Sequence, residues 1–135
     1  MTRVDLVVPP DPTAPSKARE LLARLLPDEV GSDQFALGEL ALSEIVSNAI
    51  RHGGNGVSAQ IGVVIERDGD LVTVRVIQSG PTRDIPSIVE MPEPWSTHGY
   101  GLSIVDAVTD RWGVHLDPPS VWFQFRLDGR PDPPS

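Results

Sequence analysis

Apolar positions along the chain follow two periods, and the changes between them predict its elements. Val4 to Val8 is a first strand, followed by a turn-rich joint from Pro9 to Pro15. Ala18, Leu21, Leu22, Leu25 and Leu26 recur at three and four, which predicts an amphipathic helix from Ser16 that Pro27 ends. Phe35, Leu37, Leu40, Ala41, Ile45, Val46 and Ile50 carry the helical period over the longest stretch, with Ser32 or Asp33 as cap and Gly53-Gly54 as stop. Val57 to Glu66 and Leu71 to Ile77 are β-rich runs around Asp68-Gly69, a hairpin signal. Gly80 to His98 contains four Pro and no sustained period, which suggests a functional lid. Leu102, Ile104, Val105 and Val108 predict a third helix opened by Gly99-Tyr100-Gly101, and Trp112 to Leu116 and Val121 to Leu127 predict two closing strands.

Helices and strands interleave, but two hairpin-like pairs exclude an all-parallel sheet. The expected architecture is therefore an α+β two-layer sandwich, with a mixed, mostly antiparallel sheet and its helices on one face. A chain of 135 residues fits one domain, taken as 1–127, with a frayed polar tail at 128–135. Composition narrows the function classes. Eleven Lys and Arg against nineteen Asp and Glu leave a net charge of −8, which opposes binding to a nucleic-acid backbone. The chain has no Cys, which excludes disulfides, thiolate zinc sites and cysteine nucleophiles. No apolar run approaches the roughly 20 residues of a membrane span, so the expected setting is cytoplasmic.

Glu44, Asn48 and His52 are spaced four and four on the second helix, where each step of four turns by only about 40°, giving one polar stripe. On spacing alone a solvated face is the commoner outcome. Asn in mid-helix is unfavourable, however, because its amide competes for backbone partners. An Asn oxygen can take one position on a magnesium ion that keeps several waters, and a neighbouring Glu can accept a hydroxyl proton. Gly99-x-Gly101 opens a helix, where free N–H groups favour phosphate, although such glycines are more often plain turns. Trp95 is expected in the lid and Trp112 and Trp122 in the strand core. His98 and His115 stand alone, and Asp106 and Asp110 fall on a solvated helix face.

The stretch Leu40-Ala-Leu-Ser-Glu44-Ile-Val-Ser-Asn48-Ala-Ile-Arg-His52-Gly53 resembles the asparagine box of the GHKL ATPase and kinase superfamily, the Bergerat ATP-binding fold. Gly99-Tyr-Gly101-Leu-Ser-Ile-Val-Asp106 with Trp112-Gly113 is similar to the second glycine box of anti-sigma-factor serine kinases and their small actinobacterial relatives. Val121-Trp122-Phe123 resembles their last strand, and the likeness runs from Leu6 to Leu127. It implies that Glu44 is the general base, Asn48 the magnesium ligand and His52 a polar neighbour of the phosphates. Gly99 and Gly101 would let the chain wrap the triphosphate, with Tyr100 and Leu102 offering backbone N–H groups. The departure is at the first glycine box, Gln78-Ser79-Gly80-Pro81, where Gln78 stands in place of the Asp that accepts the adenine amino proton. A misplaced polar partner costs about 1–3 kcal/mol, which weakens nucleotide binding without abolishing it.

The resemblance thus implies an anti-sigma-factor-like regulator, an ATP- and magnesium-dependent serine protein kinase. It would bind a sigma factor and phosphorylate an anti-sigma antagonist, and the group it resembles is often homodimeric. The alternative is a non-catalytic partner-switching module with weak or no nucleotide binding, which Gln78 favours and Glu44 and Asn48 oppose. A histidine-kinase catalytic domain is disfavoured, since no phosphoacceptor helix pair precedes residue 16.

Overall fold

The computed structural model describes residues 1–52, 60–79, 102–116 and 119–129, with only the backbone described at 52, 79, 102, 103, 116 and 119. In chain order the elements are β1 (Thr2–Val8), α1 (Ala14–Leu25), α2 (Asp33–His52), β2 (Gln60–Asp68), β3 (Leu71–Ser79), α3 (Leu102–Val108), β4 (Arg111–Leu116) and β5 (Pro119–Arg126). The strands lie in the order β1-β2-β3-β5-β4, and all four ladders are antiparallel. Helix α2 packs between α1 and α3 and over β3 and β5, while α1 covers β1 and β2. The result is the expected α+β sandwich, an open sheet with helices on one face. Gly53-Gly54, Trp95, His98 and the expected lid from Gly80 to His98 lie outside the described residues.

Local chemistry explains where the elements begin. α1 starts at Ala14, two residues before the expected Ser16, because Pro15 sits in the first turn, where a missing N–H breaks no helical bond. Just upstream, the Asp11 carboxylate accepts the Thr13 amide at 2.8 Å and also the Thr13 hydroxyl, fixing the approach to the helix. Those two bonds hold the Asp11 pKa below its ordinary 3.8. At α2, Ser32 Oγ accepts the Phe35 amide at 3.1 Å, so Ser32 is the N-cap. In the hairpin Asp68 pairs with Leu71, which makes Gly69-Asp70 the turn, one residue later than Asp68-Gly69. Gly69 supplies the positive φ of 61° at the first turn position.

Strand alternation sends Ile61, Val63 and Ile65 of β2, Val72, Val74 and Val76 of β3, and Phe123 and Phe125 of β5 into the core under the helices. Gly38 of α2 lies directly over Phe125, where an added Cβ would come 2.5 Å from the ring Cζ. A helix-interior glycine, normally about 1 kcal/mol worse than Ala, here makes the notch into which an aromatic ring fits. Three expectations are corrected. Leu40 is 43% exposed and lies off the core face of α2. Trp122 has the opposite parity to Phe123 and half-buries itself on the face of the sheet away from the described helices, across Gly113. Asp106 is exposed but not merely solvated, since its Oδ1 accepts the Trp112 indole N–H at 2.8 Å and ties α3 to β4.

Candidate functional site

On α2 the residues Ala41, Ile45 and Ala49 form a buried stripe, and Asn48 falls inside it, three residues beyond Ile45. Asn48 is 2% exposed, and its Oδ1 has no hydrogen-bond partner. Leaving such an acceptor unpaired costs about 1–3 kcal/mol, an expense the core does not require. Facing it, β3 continues its inward series Val72, Val74, Val76 with Gln78, which is in register with Ile61. Gln78 is half-buried, and its Oε1 is likewise buried without a partner.

Both amides line one pocket, with Ile45 and Ala49 from α2, Val76 from β3, and Ser120 and Val121 from β5. The cavity measures about 10 Å³, so the amide oxygens look onto a narrow slit and not onto open solvent. In so dry a setting a dipole aimed at a cation or an N–H acts more strongly than it would in water. No ionisable side chain among the described residues lines it. It is an apolar slot carrying two neutral oxygen acceptors, each able to take an N–H or one position on a hard cation. Among the described residues no group of three or more His, Asp or Glu side chains could hold a metal unaided.

The structure therefore brings Asn48 and Gln78 together, although thirty positions separate them in the sequence. It also separates members of the expected stripe. The drift of about 40° per step carries Asn48 into the core and leaves Glu44 half-buried at the margin, outside the pocket lining. Glu44 makes no side-chain hydrogen bond or ion pair with a described residue. Its neighbour Ser43 is engaged instead, accepting the Arg19 guanidinium at 3.0 Å and joining α1 to α2. His52 ends α2 and is described by its backbone alone; Leu102 likewise opens α3. Gly80, Gly99, Tyr100 and Gly101 lie outside the described residues.

One residue escaped the reading of the sequence. Ser120, 6% exposed, lines the pocket because β5 runs beside β3, with Val121 opposite Val76 and Ser120 next to it in the chain. After Pro118-Pro119 a serine reads as a turn residue, and a cross-strand register between distant strands leaves no local signal.

No curated protein matches the chain. The family described as histidine kinase-like ATPase domain matches residues 8–125, a span from the end of β1 to the end of β5 that takes in all three helices and the amide-lined pocket. On that match, and with the sandwich that carries it, the chain belongs to the histidine kinase-like (GHKL) ATPase domain family.

Proposed function

We propose that the slot between α2 and β3 binds ATP with magnesium, and that the chain is an anti-sigma-type regulator that transfers phosphate to a serine of an antagonist protein. The observation that supports this best is the pair of buried, unpartnered oxygens, Asn48 Oδ1 and Gln78 Oε1, in one pocket of a GHKL domain. Magnesium, when bound, neutralises charge on the phosphates and aligns them for transfer. Asn48 would contribute one neutral oxygen to hold it, the other ligands falling to phosphates and water, since no acidic cluster lies among the described residues. Ile45, Ala49, Val76 and Val121 supply the apolar surface against which a base would pack once the slot, about 10 Å³ as it stands, widens to admit it, and Gln78 Oε1 would accept an N–H from its edge. Glu44, one turn before Asn48 and unengaged by described neighbours, is available to draw the proton from an incoming serine hydroxyl. The sigma factor and the antagonist belong to this proposal through the motif resemblance, as does a homodimer.

Calorimetric titration with ATP, with and without magnesium, tests the binding half. Affinity should rise with magnesium in the parent, and that increment should vanish in Asn48→Ala. Glu44→Gln tests the catalytic half: nucleotide binding stays and transfer to serine stops. A parent that takes up no ATP refutes the proposal. A Glu44→Gln variant that still transfers phosphate removes Glu44 from the role of base.

The neutral Gln78 favours a second reading, a partner-switching module that works through protein contacts alone. An ATP-independent complex with the sigma factor, unchanged in Asn48→Ala, would support it.

A further inference from the structure

Gln78 sits on the inward face of β3, where its predecessors are apolar. Its inward predecessors are Val72, Val74 and Val76, and its register partner is the buried Ile61. An amide at that position, with its oxygen buried and unpaired, is placed to meet the edge of a ligand admitted beside Ile45, Ala49, Val76 and Val121. Asn48 is the other orphan in the slot, and no charged side chain among the described residues competes to set the polarity of the edge that is read.

A primary amide carries an acceptor and a donor side by side, and a half-turn about its last bond exchanges them without any change in charge or shape. This has a direct chemical consequence for purines. With the oxygen toward position 6 of the ring, the amide accepts the 6-amino N–H of an adenine-type base while its N–H donates to ring N1. Turned over, it donates to the 6-oxo oxygen of a hypoxanthine- or guanine-type base while its oxygen accepts the N1–H. Two bonds form in either case, so neither base leaves a buried polar group unpaired, which is the condition for discrimination by a polar site.

We infer that Gln78 makes this pocket indifferent to the 6-substituent of the purine, so that 6-amino and 6-oxo purine nucleoside triphosphates bind with similar affinity. The inference rests on the nucleotide-binding reading above and specifies which nucleotides that site takes.

The experiment is titration calorimetry of the full chain with ATP, with inosine triphosphate, which differs from ATP in the 6-substituent and the N1 proton, and with GTP, all with magnesium. The parent should bind ATP and inosine triphosphate within about threefold of each other, with GTP close behind. Gln78→Leu removes both the donor and the acceptor from an inward position that suits an apolar side chain, so it should remain folded, as a thermal melt will show. It should weaken all three nucleotides by roughly tenfold or more. Asn48→Ala should weaken all three and leave their ratio unchanged.

A parent that prefers ATP over inosine triphosphate by tenfold or more overturns the inference while the ATP-binding proposal stands. Indifference that persists at full affinity in a folded Gln78→Leu also overturns it, because the amide is then not reading the base. A parent that binds none of the three overturns both.

Discussion

Replacing Asn48 with Leu should make the protein more stable and abolish magnesium-dependent nucleotide binding. Both side chains branch at Cγ, so the perturbation is chiefly the exchange of an amide for two methyl groups. Asn48 is 2% exposed and its Oδ1 has no partner, so the substitution removes a desolvation penalty of about 1–3 kcal/mol. Leu is also the better helix former, by up to about 0.5 kcal/mol. Against this, the pocket measures about 10 Å³, so fitting the methyl groups costs up to about 1 kcal/mol of local repacking. The net gain is about 1–2 kcal/mol, equivalent to a rise in melting temperature of roughly 3–8 °C for a domain of this size. Urea unfolding followed by far-ultraviolet circular dichroism gives the first quantity, and a thermal scan gives the second. A loss of more than about 1 kcal/mol would refute the reasoning, because the amide would then be holding the fold together and its conflict with the core would be illusory.

Gly38→Ala should cost about 1–2 kcal/mol despite the better helix propensity of Ala, since the new Cβ would come 2.5 Å from Phe125 Cζ; stabilisation in urea would show that α2 does not rest on that ring. Ser32→Ala removes the acceptor for the Phe35 amide and should lower stability by about 1 kcal/mol, whereas Ser32→Gly should cost only a few tenths. The Asp11 carboxylate is held below its ordinary pKa of 3.8 by Thr13, so its contribution is fully present above that value and is lost as pH falls through the lower folded-state value. Asp11→Asn should therefore lower stability at neutral pH and cease to matter once pH has fallen below the folded-state value, and an NMR titration placing the parent carboxyl at or above 3.8 would contradict this.

Much of the fold was legible because its signals are local. The three-and-four spacing of Leu21, Leu22 and Leu25 and the alternation of Val72, Val74 and Val76 survive in the structure as the inner faces of α1 and β3. The errors fall where a boundary depends on a dihedral or a parity. The hairpin turn moved one residue because the sign of φ at Gly69, and not the identity of the Asp-Gly pair, sets the turn. Trp122 went to the face away from the described helices because strand parity outranks hydrophobicity when Phe123 and Phe125 already fill the core. At the site, the pairing of Asn48 with Gln78 follows from two periods that can be read separately, +3 from Ile45 on the helix and +2 from Val76 on the strand. The width of the slot and the arrival of Ser120 depend on how β5 registers with β3, which involves residues more than forty positions apart.

The slot draws its walls from α2, β3 and β5, three segments far apart along the chain. No fragment of the polypeptide can reproduce it, so a bound molecule recognises the closed topology as a whole. Binding energy acts as a clamp on complete unfolding and leaves the fraying of ends untouched. At a concentration one hundred times Kd the clamp is worth about 2.7 kcal/mol. It would slow amide exchange even in the core of β1, which packs chiefly on α1 and β2 and lines none of the pocket among the described residues, wherever exchange there requires the entire sheet to open. Occupancy of one narrow slot would thereby be reported throughout the molecule, with a strand outside the pocket lining as its gauge.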